Sequence, residues 1–284
     1  MVVELLALLW IPFLMCLVLT GIHAYLGVHV LAREVVFVDI ALAQIAALGA
    51  TVAFLFGFDL ETWPSYAGGL AATLAGAVVL ALTRTRQRHV SQEAVIGVVY
   101  AVSSAAAVLL ADRAPHGVEH VRAMLVGNLL ATQPADVVKV AILYAAVGVL
   151  HVLCRRPFFL ISTDPDAAYA EGYRVRLWDF LFYASFGVVV TSSVRLGGVL
   201  LVFSYLIVPA LAGVILGRSV RAKLLIGWSF GAGVSLLGVA ASATLDLPTG
   251  ATVVCMFGAA LLVFWLIAGA TGRRPVTGRG VLAP

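Results

Sequence analysis

The feature that most constrains this chain is a series of nine apolar runs, each 17 to 26 residues long. As a helix, a run of this length crosses about 30 Å, the thickness of the hydrocarbon core of a bilayer. Of the 284 residues, 62% are hydrophobic and 11% are charged, which leaves too little polar surface for a water-soluble globule. Because backbone groups in lipid must be hydrogen-bonded internally, each run is predicted to be a helix. The predicted fold is an all-α, polytopic membrane helix bundle.

The predicted spans are 5–30, 35–57, 66–83, 94–111, 137–153, 177–194, 196–217, 224–244 and 251–270. The sixth and seventh spans meet at Arg195, so they are alternatively one broken helix, which would make eight spans. The sequence therefore predicts about nine spans within a single transmembrane domain, 1–284.

The orientation of the spans is predicted from Lys and Arg, which are enriched in cytoplasmic connections. With the N-terminus outside and the C-terminus inside, 14 of the 18 basic residues lie on the cytoplasmic side. The net charge of +4 reflects these short basic clusters between apolar runs and does not indicate nucleic-acid binding.

Two connections are too long to be simple turns. The outer one, 112–136, is predicted to contain a short interfacial helix at 121–130. The inner one, 154–176, contains helix punctuation: Asp164 can cap a helix, Pro165 fits its first position and Gly172 fits its stop. A short cytoplasmic helix here suits docking to a soluble partner; the alternative is an interfacial connector without a partner.

The chain contains no recognisable site for nucleotide or hydrolytic chemistry. Its two lysines, Lys139 and Lys223, do not end a phosphate-binding GxxxxGK[ST] loop, and HExxH and GxSxG motifs are missing. Any ATP hydrolysis is therefore expected on another polypeptide, and the chain is not predicted to be an enzyme. The cysteines Cys16, Cys154 and Cys255 form no CxxC pair, so we expect neither a disulfide framework nor a thiolate metal site.

Polar residues within the spans are the candidates for function, because ionisable groups in hydrocarbon are costly unless they face a cavity or a partner. In the first span, His23 is either a packed, hydrogen-bonded side chain or a ligand, whereas His29 is expected to be solvated at the cytoplasmic boundary. In the second span, Gln44 is predicted near the midplane. Asp39 either lines a pathway or pairs with Arg33 or the nearby backbone.

Small residues and one proline predict how the helices pack. The spacings Gly213-x-x-x-Gly217 and Gly227-x-x-x-Gly231 allow helices to approach closely. Pro209 lies inside the seventh run, where it removes a backbone hydrogen bond and is predicted to kink the helix.

Six segments, taken together and in order, resemble the membrane permease subunits of ATP-binding-cassette (ABC) importers for zinc, manganese and iron(II). These segments are 27–49 (GVHVLAREVVFVDIALAQIAALG), 93–99 (EAVIGVV), 125–130 (LVGNLL), 164–172 (DPDAAYAEG), 197–210 (GGVLLVFSYLIVPA) and 246–253 (DLPTGATV). The resemblance implies a permease that forms a homodimer, docks onto a cytoplasmic ATP-binding subunit and receives its ion from an extracytoplasmic metal-binding protein. It also implies a location in the cytoplasmic (inner) membrane.

The resemblance assigns roles to particular residues. The segment with Asp164, Pro165, Asp166, Ala168 and Gly172 would be the coupling helix that meets the ATPase. No covalently bound cofactor is implied: the divalent metal ion is transported, and ATP is bound by the partner subunit.

The second span departs from the family pattern. Family members carry Gly-Asp-Ala-x-x-His there, but Gln44 stands at the histidine position and Ile40 at the aspartate position, with Asp39 one residue earlier. Asp39 and Gln44 are rotated by about 140° on a helix, so they cannot face one ion unless the helix breaks. Asp39, Gln44 and His23 are the candidate pathway or metal residues. Two other functions stay open, namely an ATP-independent secondary transporter with Asp39 as its proton-coupling carboxylate, and a non-transporting membrane scaffold.

Overall fold

The computed structural model describes residues 2–59, 62–84, 91–113, 127 and 129–270. Every regular element in these ranges is helical, as the sequence predicted. The helices are α1 (Val2–Arg33), α2 (Val38–Leu55), α3 (Trp63–Leu82), α4 (Gln92–Ala111), α5 (Pro134–Leu153), α6 (Arg155–Thr163), α7 (Pro165–Ala170), α8 (Val175–Leu216), α9 (Val220–Leu245) and α10 (Thr249–Ala270), with a 3-10 turn at Leu129–Ala131.

Eight of the described helices are long and apolar enough to cross a membrane. One of them, α8, has 42 residues and is about 63 Å long at 1.5 Å per residue, roughly twice the hydrocarbon thickness. Its backbone leaves helical geometry at Gly198, where φ is 77° and ψ is 161°. The predicted spans 177–194 and 196–217 thus form one broken element, and the chain is a multi-pass helical membrane protein. The interfacial helix predicted at 121–130 falls mostly outside the described residues.

The chain is organised into two compact units. Unit 1 contains Met1–Arg33, Val126–Leu153 and Leu196–Pro284, and unit 2 contains Glu34–Leu125 and Cys154–Arg195. The first half of α8 therefore belongs to unit 2, and its second half belongs to unit 1.

In unit 1, α1 packs against α5 and α9, and α9 packs against α10. The glycines of α9 permit close approach: a Cβ added to Gly227 would lie 2.8 Å from the Pro209 carbonyl oxygen, and one added to Gly231 would lie 2.6 Å from Thr20 Cγ2. This confirms the packing role predicted for the Gly227-x-x-x-Gly231 spacing. The dihedral angles at Pro209 are helical and the break in α8 lies at Gly198, so the kink at Pro209 stays a prediction.

In unit 2, α2 packs against α3 and α4. Thr73 of α3 and Thr191 of α8 share a buried hydrogen bond of 3.1 Å. Just beyond the end of α3, Arg84 forms an ion pair of 2.8 Å with Asp179 of α8, whose side chain is fully buried. These contacts hold α3 along the first half of α8, the same segment that follows the short helix α7.

Candidate transport and docking sites

Asp39 lies in the first turn of α2 and is completely buried. Within the part of the chain that the structure describes, neither of its carboxylate oxygens has a hydrogen-bond partner. A buried carboxylate without such partners is costly, and charged groups inside a membrane protein commonly mark an ion or substrate pathway. The hydrogen bond to the nearby backbone that the sequence allowed for Asp39 is not formed.

The start of α2 is held by a residue that the sequence analysis did not single out. The N-cap residue, Phe37, offers no side-chain cap, and its backbone N–H donates to Glu93 Oε1 from α4 at 3.1 Å. Glu93 Oε2 is buried and has no hydrogen-bond partner in the described residues. The signal in the sequence is a lone glutamate at the start of an otherwise apolar run, but its partner is 56 residues away in the chain.

Gln44 lies on α2 five residues after Asp39 and is partly buried. Since α2 continues without a break from Val38 to Leu55, the two side chains stay about 140° apart around the helix. The structure therefore does not bring Asp39 and Gln44 of one chain together around an ion.

His23 belongs to unit 1 and is completely buried. Its Nδ1 lies 2.8 Å from the carbonyl oxygen of Leu19, one turn earlier on α1. Because a carbonyl only accepts, Nδ1 carries the proton in this contact. The ring also meets Tyr144 of α5 edge to face at 5.9 Å between centroids. These contacts match the packed, hydrogen-bonded interpretation of His23, while its role in transport stays a prediction.

His29 corrects an expectation from the sequence. The predicted solvated position is wrong, because the side chain is completely buried. It packs against Tyr25 and against His151, which lies in the last turn of α5. The sequence could not show this cluster, because His151 is 122 residues further along the chain than His29.

The predicted short helix in the 154–176 connection is present as α7. Asp164 caps it by accepting the Ala167 N–H at 2.9 Å, and Pro165 occupies its first turn. After the helix, Gly172 adopts a φ of 80°, a conformation that suits glycine and stops the helix. Another bond, of 3.1 Å between Arg156 and Glu171, joins α6 to the end of α7.

The two faces of α7 differ in what they contact. Ala168 is completely buried and packs with Ile161 and Val175, so it faces the protein itself. Asp166 and Ala170 are exposed, as are Asp164, Glu171 and Gly172 around them. A surface for a soluble partner is therefore offered by the exposed residues, and Ala168 supports it from beneath.

The residues that the structure describes contain no group of three or more His, Cys, Asp and Glu side chains arranged to hold a metal ion. A tight metal site supplied wholly by such side chains is therefore not formed in that part of the chain.

The fold and these sites define a multi-pass helical membrane protein with a carboxylate buried at the start of one span and a short exposed helix between two others. The sequence model of the ABC 3 transport family matches residues 7–268. The chain belongs to this family, which confirms the resemblance to ABC permeases; its role in transport is that of a membrane subunit and not of an enzyme.

Relatives of this chain are named as manganese permease proteins, and a solved structure shares its fold. The manganese import system permease protein ScaB of Streptococcus parasanguinis is 24% identical over 244 residues, which cover 85% of this chain and 84% of ScaB. The manganese transport system membrane protein MntC of Listeria innocua is 23% identical over 245 residues, covering 86% and 84% of the two chains. A chain of the PsaBC complex from Streptococcus pneumoniae, solved with a Fab, has a TM-score of 0.77, covers 98% of both chains and is 19% identical, so it shows the fold.

Proposed function

We propose that this chain is the permease of an ABC importer that carries a divalent transition metal ion, zinc, manganese or iron, across the cytoplasmic membrane. The observation that carries the proposal is the family match over residues 7–268. It is supported by relatives of nearly the same length that are named as manganese permeases.

Energy for transport would come from a partner, because the sequence has no GxxxxGK[ST] loop. We assign docking of that ATP-binding subunit to the exposed face of α7, with Asp166 and Ala170 in contact and with Asp164, Pro165 and Gly172 defining the ends of the helix. Ala168 would hold this face on α6 and α8 from within. An extracytoplasmic metal-binding protein would deliver the ion on the opposite side, and two copies of the chain would form the pathway.

Asp39 is our candidate for the pathway residue that meets the ion. Carboxylates suit manganese and other divalent cations, and the side chain of Asp39 lacks hydrogen-bond partners in the described residues. Gln44 would also line the pathway but would bind the ion more weakly than Asp39, because its amide oxygen carries no full negative charge. His23 is the third candidate, although its Nδ1 is committed to the backbone of α1.

Uptake by the complete transporter tests the proposal. Vesicles are prepared from native membranes in which the chain is overproduced, so that its partner subunits are present, and radiolabelled zinc, manganese and iron(II) are supplied to them. We expect uptake of at least one ion that stops when ATP is depleted and continues when the proton gradient is collapsed. The reverse dependence would establish a secondary transporter, and no uptake of any of the three ions would overturn the metal assignment.

The role of Asp39 is tested in the same vesicles. We expect Asp39→Asn to lower the uptake rate at least tenfold, because the substitution removes the charge and nearly preserves the volume. Gln44→Ala is the matched variant on the same helix and is expected to lower the rate only two- to threefold. Equal uptake by wild type and Asp39→Asn would remove Asp39 from the pathway.

A further inference from the structure

Two buried histidines and a tyrosine gather where α1 meets α5 in unit 1. Tyr25 and His29 lie four residues apart, on one face of α1, and His151 comes from the last turn of α5. The ring centroids are 4.9 Å apart for Tyr25 and His29, 5.5 Å for Tyr25 and His151, and 6.4 Å for His29 and His151. Both histidines are completely buried, and their imidazole rings meet edge to face inside a membrane protein.

From this arrangement we propose that His29 and His151 bind a transition metal ion, in a site separate from Asp39. The inference rests on the proposed function in that the ion would be the transported one. Imidazole nitrogen is a preferred ligand of zinc and also binds iron and other first-row metals. The span that contains Asp39 has no histidine, so this cluster supplies the nitrogen ligands that α2 lacks.

The backbone around the cluster favours a cation. His29 lies one turn before the C-terminal end of α1, and His151 lies two residues before the end of α5. The C-terminal end of a helix carries partial negative charge from its unpaired carbonyl groups. Two such ends meet at this cluster, and together they stabilise a positive charge between the imidazoles.

The distance between the His29 and His151 rings is slightly longer than in a site where both rings bind one ion. Zinc binds imidazole nitrogen at about 2.0–2.1 Å, so two rings on one tetrahedral ion have centroids about 5 Å apart. The observed 6.4 Å requires the rings to approach by about 1 Å. His151 Nδ1 is 3.3 Å from the Tyr25 hydroxyl. A hydrogen bond of this length is weak, so rotation of the His151 ring breaks it at little cost. The hydroxyl is then beside the ion, where it can act as a ligand or hold a water ligand.

Arg33 is expected to lower the affinity of this site for a cation. It follows His29 by one helical turn, so the two side chains share a face of α1. Its positive charge opposes a cation at the imidazoles, and only two of the ligands of the ion are imidazole nitrogens. Both properties weaken binding, and weak binding suits a site through which an ion must pass.

The experiment uses Co²⁺ as the spectroscopic probe and the full-length chain, purified with a tag that contains no histidine. Six histidines are present in the sequence. His89, His116 and His120 are therefore replaced by Gln, which leaves His23, His29 and His151. We expect one Co²⁺ per chain with the visible absorption of a four-coordinate site, and X-ray absorption of the Zn²⁺ form should show two imidazole ligands. If the bound ion has no imidazole ligands, or if no ion binds, the proposed site is wrong. This result requires no substitution of a residue in the cluster.

Variants in this background locate the ion. His29→Gln and His151→Gln should each weaken Co²⁺ binding at least tenfold, and Arg33→Gln should tighten it about threefold or more. Thr20→Val is the matched control, since Thr20 is a buried polar residue on the same helix whose hydroxyl donates to the Cys16 carbonyl oxygen, and it should change the affinity less than twofold. Equal effects of Thr20→Val and His29→Gln would contradict the assignment. Because binding is measured without ATP or transport, its failure leaves the proposed import function standing, and a failure of uptake leaves the site standing.

Discussion

Gly127 lies directly against the backbone of Gly198, at the point where the long helix α8 breaks. Both glycines have positive φ, 67° at Gly127 and 77° at Gly198. With ψ at 161°, Gly198 occupies a region that is open essentially only to glycine. The break in α8 therefore depends on two glycines that are 71 residues apart in the sequence.

We predict that Gly127→Ala destabilises the protein. The added Cβ would overlap the backbone of Gly197 and Gly198, and the positive φ adds strain of about 1–3 kcal/mol. Thermal unfolding in detergent, followed by tryptophan fluorescence, measures the effect. Gly148→Ala is the control, because a Cβ there meets nothing within 4 Å in a helix. Equal melting temperatures for the two variants would contradict the prediction.

Glu93 is predicted to hold the start of α2 through its oxygen acceptor and not through its charge. Glu93→Leu leaves the Phe37 N–H without this acceptor and should cost about 1 kcal/mol, as for the loss of an N-cap. Glu93→Gln keeps a carbonyl oxygen in the same place and should stay close to wild type in both stability and uptake. If Gln is as damaging as Leu, the charge of Glu93 is what matters.

A large charged side chain at Ala170 is predicted to disrupt docking of the ATPase on α7. An arginine at this exposed position should block the ATPase and lower ATP-driven uptake at least tenfold, while the melting temperature of the permease stays within a few degrees. Ala168→Arg should instead lower the melting temperature, because it places a charge among Ile161 and Val175. Thr244→Arg, at an exposed position on α9, is the control for a surface charge. Normal coupling in Ala170→Arg would show that the partner does not dock there.

The orientation of the chain is predicted to place the N-terminus outside. In a variant without native cysteines, Asp59→Cys should react with a membrane-impermeant maleimide on intact cells. Ala170→Cys should react only after lysis. Both positions are exposed, so labelling reports the side of the membrane and not burial. The opposite pattern would invert the topology.

The fold class follows from the amino-acid sequence alone, because apolar runs long enough to cross a bilayer are stable in lipid as helices. The sequence also determined α7, since capping by Asp164, the fixed φ of Pro165 and the positive φ of Gly172 act within a few residues. Asp39 could be selected as a candidate for the same reason, as the cost of a carboxylate in an apolar span is a local property.

Contacts between residues that are distant in the sequence depend on how the helices pack together. The contact of His29 with His151, the capping of Phe37 by Glu93 and the packing of Ala168 against Val175 join separate helices. Helical periodicity specifies the face on which a side chain lies, but not which helix packs against that face. His29 was therefore expected in water and is buried, because the burial comes from α5 and not from the sequence of α1. These contacts between helices are determined by side-chain packing. Packing depends on the shapes of several helices at once, and a single segment of sequence does not specify it.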